Sequence, residues 1–224
     1  MGIGDTYQRL RAEIPAGVSI VLAAKTRAPE ELAEAIDAGA TDLGHNYVQE
    51  AAQMHAALGE RARQVRWHMI GNLQTNKINK ALQCCDVIQT VDSLQKGEDI
   101  AARAARAGRT VPVYVEVNIG REESKAGVAP LQDSLEQLVG ALARLDGIAV
   151  AGLMTMGPMT GDPEDSRPHF RTTRELFERL QAARIAGAAL KTLSMGMSDS
   201  YRVAIQEGAT MVRLGTIVFG ARQR

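Results

Sequence analysis

Short apolar runs and longer amphipathic stretches alternate along the whole chain. An opening helix is predicted from about Tyr7 to Ile14, followed by an apolar strand over Val18–Ala24. Pro29 suits the first turn of a helix that runs through Leu32 and Ile36 to a stop at Gly39. A short strand follows near Thr41–Gly44. Asn46 with Gln49 has capping-box spacing and predicts a helix start there. Trp67–Ile70 reads as a strand, Leu73–Leu82 as its helix, and Asp86–Thr90 as the next strand. Asp92 with Gln95 repeats the capping spacing before an alanine-rich helix that ends near Gly108. Val111–Asn118 alternates and is rich in β-branched residues, the clearest strand in the sequence. After a polar loop, Gly120–Gly127, one helix face carries Leu131, Leu135, Leu138, Val139 and Leu142. Ile148–Met154 is a sixth strand. The long loop Gly157–Pro168 leads to a helix bearing Phe170, Phe177 and Leu180. Leu190–Met195 and Met211–Leu214 complete the strands, with a helix between them that should start near Ser198.

Strands joined by crossovers of this length pair in parallel, and eight such units close most economically into a (β/α)₈ TIM barrel with an extra N-terminal helix. Residues 1–224 are expected to form a single domain. An open doubly wound sheet is the alternative, but its Gly-rich dinucleotide loop is missing after the first strand. One echo, Ala35–Thr41 against Ala204–Thr210, reads as two helix stops with glycine after the last turn.

Composition narrows the partners. Twenty-six basic residues balance 26 acidic ones, so no global pull toward nucleic acid or an acidic membrane arises. No apolar run is long enough to span a bilayer, and no secretory signal is legible. Met1–Thr6 fits only the loose myristoylation pattern. Cys84 and Cys85 are adjacent and offer neither a disulfide framework nor a spaced metal pair, which fits a reducing cytoplasm. The histidines 45, 55, 68 and 169 show no ligand spacing, so no metal site is expected.

Lys25 is the only lysine of the first forty residues, and it stands where the first strand opens into a loop. Desolvation of an amine favours its neutral, nucleophilic form, and Schiff-base chemistry becomes available. A solvated lysine closing a strand is the competing reading. In a barrel of this kind the site lies at the carboxyl ends of the strands. Lys25, Asn46, His68, Asn118, Met154, Ser194–Ser198 and Arg213–Thr216 fall at or near such ends. The Ser194–Ser200 segment, entering a helix, and Arg213–Thr216 look suited to a phosphate at the last two strand ends. Plain N-capping by Ser198 and a tight turn at Gly215 compete with that reading. Arg213 in an apolar strand needs a partner, either a carboxylate or a bound ring or phosphate. Glu116 and Asn118 share a strand face and must be hydrogen-bonded if they point inward. Lys125, in a solvated loop, is a possible anion contact. His68 reads as a packed histidine, and His55 and His169 as surface ones. Met154, Met195 and Met197 could line an adaptable pocket.

Several segments occur in a telling order: Lys25-Thr26; Gly44-His45-Asn46-Tyr47-Val48-Gln49-Glu50; Trp67-His68-Met69-Ile70-Gly71 with Leu73-Gln74-Thr75-Asn76-Lys77; Gly152-Leu153-Met154; Leu193-Ser194-Met195-Gly196-Met197-Ser198-Asp199; and Val212-Arg213-Leu214-Gly215-Thr216 with Phe219-Gly220-Ala221-Arg222. Together they resemble the pyridoxal phosphate homeostasis protein family, related to the alanine racemase N-terminal barrel. The resemblance implies a barrel holding pyridoxal 5′-phosphate as an aldimine on Lys25. Ser198, Gly215 and Thr216, with Ser194 and the Met197 amide, would hold the phosphate. Arg213 would face the pyridine nitrogen, and Asn46 and Met154 would lie near the ring; His68 and Asn76 belong to the pattern without a defined role. The family usually has glutamate where His45 stands and serine where Ala24 stands. An arginine at the ring nitrogen makes a weaker electron sink, and the chain ends at Arg224 without the racemase's extra domain. The expected function is therefore cofactor holding and delivery in vitamin B6 and amino-acid homeostasis, with no catalytic residues assigned. Expected partners are B6 vitamers and apo-enzymes that receive the cofactor, and the expected state is a monomer. The alternatives are a low-activity racemase or lyase using the same cofactor, and a cofactor-free Schiff-base aldolase.

Overall fold

The computed structural model describes residues 2–120, 126–158 and 162–221. Helix α1 (Ile3–Glu13) precedes β1 (Ser19–Ala23), and α2 (Pro29–Asp37) leads to β2 (Asp42–His45). Then come α3 (Val48–Leu58), β3 (Arg66–Met69), α4 (Ile78–Cys84), β4 (Val87–Val91), α5 (Leu94–Arg106) and β5 (Val111–Val117). Next are α6 (Gln132–Leu142), β6 (Ile148–Thr155), α7 (Arg167–Ala182) and β7 (Thr192–Ser194). Helix α8 (Tyr201–Gln206), β8 (Met211–Leu214) and α9 (Thr216–Phe219) follow. The strands are parallel and close into a barrel in chain order, with β8 returning to β1. The predicted (β/α)₈ barrel with its additional N-terminal helix is the observed fold.

Period-2 alternation sorts the strand residues into two cores. Outward residues such as Ile20, Leu22, Leu43, Trp67, Ile88 and Val212 pack with helix residues including Leu32, Ile100, Leu135 and Phe170. Inward residues Val21, Val87, Tyr114, Met154 and Met211, with Ile70 beyond β3, form a smaller separate cluster. The loops after β2 and β3 meet at Gly71. A Cβ there would collide with the Asn46 carbonyl oxygen, so only glycine admits this approach.

Several boundaries differ from the sequence reading. Asn46 does not cap α3; Tyr47 occupies that position without a side-chain cap. Ser93, not Asp92, caps α5 by accepting from the Lys96 amide, because Asp92 instead pairs with the Lys96 ammonium at 2.8 Å. The Leu73–Leu82 helix begins as a 3₁₀ turn, Thr75–Lys77. The helix expected at Ser198 starts at Tyr201, after a turn at 198–200. Both halves of the Ala35/Ala204 echo end helices, with Gly39 at φ 99° and Gly208 at φ 91°. No helix among the described residues is long and apolar enough to cross a membrane.

Candidate functional site

Lys25 lies two residues past β1, in a turn, and is half-buried. Its Nζ stands 5.2 Å from the centroid of the Tyr47 ring. Thr26 adopts φ 60°, a left-handed conformation that a β-branched residue rarely accepts. The turn is held from the other end of the chain. Arg27 donates to the carbonyl oxygens of Phe219 (3.1 Å) and Gly220 (2.7 Å), and its guanidinium lies over the Phe219 ring at 5.3 Å. Sequence reasoning missed Arg27, whose partners lie almost two hundred positions away.

The last two strand ends meet this turn. A Cβ on Gly215 would lie 3.3 Å from the Ala23 carbonyl oxygen, so the backbone after β8 runs close beside β1. The Gly215 and Ile217 amides both donate to Ser198 Oγ, at 3.0 and 3.3 Å. Ser198 thus serves α9, the short helix of the next unit, rather than α8. Gly196, at φ 90°, shapes the loop that delivers it. The Met197 amide donates to Ser200 Oγ at 3.2 Å, and Thr216 is exposed beside Gly215.

Arg213 points into the barrel and is buried. It donates to Ser194 Oγ at 2.7 Å and to the Thr155 carbonyl oxygen at 2.8 Å. Burial pushes its pKa down to about 10, opposed by the nearby Glu116 carboxylate. Burial also raises Glu116, as does Asp92, against the pull of Lys96 and Arg213. Ser194 is fully buried and faces the interior, so its hydroxyl is spent inside the barrel rather than at the Gly215 turn. Met154 also lies in the interior, 1% exposed. A cavity of about 400 Å³ opens beside Asn46, Tyr47 and Asn72. Asn76 is exposed on the 3₁₀ turn. Lys125 and Arg222 lie outside the described residues.

His68 is buried inside the barrel, 2.8 Å from Asp42. His55 is half-buried, with its ring tilted over Trp67 at 5.2 Å. His45 belongs to the outer core: it stacks on Trp67 at 5.5 Å, neither ring nitrogen has a partner, and burial pushes its pKa down to about 4.

Residues 3–223 match the family model described as alanine racemase, N-terminal domain. The chain is 41% identical over 201 residues to the pyridoxal phosphate homeostasis protein of Aquifex aeolicus, covering 90% of this chain and 86% of the relative. It is 32% identical to the Escherichia coli K12 protein of that name over 93% of this chain and 87% of the relative. The chain belongs to the pyridoxal phosphate homeostasis protein family. Among solved structures, PipY of Synechococcus elongatus with PLP bound matches at TM-score 0.88 and 31% identity, over 97% of this chain and 100% of that one.

His45 stands on the outward face of β2, stacked on Trp67 and away from the interior that holds Arg213. A second cavity of about 300 Å³ lies there, lined by Ala24, Thr26, His45, Glu50 and Met54. His45 and Ala24 therefore share one cavity wall.

Proposed function

We propose that this protein holds pyridoxal 5′-phosphate at the carboxyl mouth of the barrel and acts in intracellular B6 and amino-acid homeostasis, with little or no turnover of its own. The observation that carries this reading is a convergence. An amine at Lys25, two backbone amides gathered on Ser198, and the buried Arg213 charge meet where β1, β7 and β8 end. This donor set fits the group. Lys25 would supply the covalent attachment. Ser198, Gly215 and Thr216, with the Met197 amide, would hold the phosphate, since helix-start amides favour anions. Ser194 would act on Arg213 instead. Asn46 and Met154 would flank the ring.

When bound, the cofactor supplies an electrophilic aldehyde carbon and a ring that accepts electrons. Arg213 remains charged at neutral pH despite its lowered pKa of about 10. A guanidinium can only donate, so it holds a ring nitrogen unprotonated and weakens the ring as an electron sink. That supports retention and delivery over catalysis. The formal net charge of zero gives no global pull toward nucleic acid. We place the protein in the cytoplasm as a one-domain monomer that binds B6 vitamers and supplies apo-enzymes.

The test is an absorbance spectrum before and after borohydride, with mass mapping of the reduced adduct. A visible band that disappears on reduction and a mass gain on Lys25 are expected, and Lys25→Ala should show neither. Protein that stays colourless and unlabelled at saturating cofactor would end the reading. Turnover of alanine or serine enantiomers above a cofactor-only control would restore an enzyme.

A further inference from the structure

The barrel interior contains a continuous line of buried polar side chains. It begins at Arg213 on β8, which donates to Ser194 Oγ on β7 at 2.7 Å. Ser194 donates to Gln89 Oε1 on β4 at 2.8 Å. Gln89 Nε2 lies 2.9 Å from His68 Nδ1 on β3, and His68 Nε2 lies 2.8 Å from Asp42 Oδ1 on β2. Asp42, the first residue of β2, is reached there by Arg66 Nε at 2.8 Å, and Arg66 opens to solvent. Its other oxygen accepts from Thr41 Oγ at 2.7 Å. The line therefore runs from near the carboxyl mouth to the opposite end of the barrel.

Its polarity has one consistent solution. Arginine has only donors, so Ser194 accepts from it, and its own hydrogen is directed to Gln89 Oε1. That fixes the Gln89 amide with its nitrogen toward His68, and the Met211 sulfur, which can only accept, lies 3.4 Å from the same nitrogen. His68 Nδ1 then accepts, so Nε2 carries the hydrogen and donates to Asp42. Asp42 is able to receive it. Burial raises its pKa, but hydrogen bonds from His68, Thr41 and Arg66 outweigh burial and hold the carboxyl below its ordinary range. All four bonds point the same way, from guanidinium to carboxylate. Gln89 sits where the β4–β5 register shifts, between Ile88 and Val91. Such a bulge re-aims a side chain.

We infer that Gln89, His68 and Asp42 are positioning residues for Arg213: the directed chain Arg213–Ser194–Gln89–His68–Asp42 fixes the guanidinium's orientation, and with it the N–H presented to the ring nitrogen of the bound cofactor. The inference rests on the cofactor reading above. Ser194 and the Thr155 carbonyl oxygen take two of the guanidinium's five N–H groups, which leaves others for the ring nitrogen a bound cofactor would bring. A low-dielectric chain with every member satisfied also gives Arg213 little freedom to rotate.

Gln89 is the residue to test, because it is remote from the reacting amine and its neighbours report on it. Gln89→Glu keeps the shape but, as a carboxylate, accepts at both ends, which draws a second hydrogen onto His68. Gln89→Leu cuts the chain. The first readout needs no cofactor: ¹⁵N resonances of the histidine rings, assigned with His68→Phe. The wild type should show His68 with Nε2 protonated and Nδ1 bare, and Gln89→Glu should show both protonated. The second uses protein loaded with pyridoxal 5′-phosphate labelled with ¹⁵N at the ring. Gln89→Leu, which leaves the Ser194 hydroxyl hydrogen without its acceptor, should shift that ring resonance and release cofactor about tenfold faster, the scale of leaving one buried donor unsatisfied. Borohydride should still trap the adduct on Lys25. A purely structural role would lower thermal stability and leave the ring resonance and release rate at wild-type values, and that result would overturn the inference. So would a wild-type His68 with Nδ1 protonated. If Gln89→Leu folds poorly, Gln89→Met, close to glutamine in length and without its amide acceptor, takes its place. Wild-type protein that traps no cofactor would defeat the parent reading and this one with it, whereas labelled wild type with unaffected variants defeats only the chain.

Discussion

Between the sheet and its helices the packing is almost wholly apolar: Leu22, Leu32, Trp67, Ile100 and Phe170 are 0–2% exposed. Inside the barrel the same strands present Asp42, His68, Gln89, Glu116, Ser194 and Arg213, all buried. Neighbouring residues of one strand thus serve opposite environments, as Trp67 and His68 do. The outer core gains free energy by removing apolar surface from water. The inner polar groups pay desolvation and recover it only by pairing, so they add little net stability. The difference teaches that the outer core makes the barrel and the inner one is kept for what it holds.

Three substitutions break or sharpen this contrast. Phe170→Ala, on α7 in the outer core, should cost about 3–5 kcal/mol in denaturant unfolding, through lost transfer energy and a cavity. Cofactor release from the protein that remains folded should be unchanged. His45 is the outer core's polar exception and makes stability depend on pH. Unfolded, it binds a proton below about 6.5; folded, it resists until about 4. Its contribution is therefore full above pH 6.5 and drains as pH falls toward 4, by about 3 kcal/mol. His45→Phe keeps the stack on Trp67 and should remove that acid-labile component from a series of melting curves. The smallest effect on folding belongs to the inner core. Arg213→Lys should change stability by no more than about 1 kcal/mol, because the ammonium keeps a buried cation opposite Glu116 and can still donate to Ser194, while the planar fork is lost. Cofactor retention in the same variant should fall at least tenfold. A loss of several kcal/mol there would make Arg213 a structural residue and erase the contrast.

Strands and crossovers were legible in the sequence because outer-core positions repeat with the period of each element. Val111–Val117 and α6 are the plainest cases. Helix starts were less so. Asn46 and Asp92 carry the chemistry of a cap, but tertiary demands took both: the backbone of Asn46 packs against Gly71, and Asp92 pairs with Lys96. Of the candidate site, Lys25, Ser198, Arg213 and Gly215 could be proposed because they fall at or near strand ends, where the sites of such barrels lie. The direction of Ser194 could not, since one residue decides whether a side chain at the end of β7 faces the barrel or the loops. Gln89 was invisible for a related reason. Its aim depends on a bulge, and its partner Ser194 is 105 positions away.

The clamp from Arg27 to Phe219 joins residues 192 positions apart, and β1 finds its second neighbour only in β8. Lys25 is therefore made well before the residues that complete its surroundings. A chain that stopped short of β8 would leave the Lys25 turn without the Phe219 and Gly220 carbonyls and β1 with one strand neighbour instead of two.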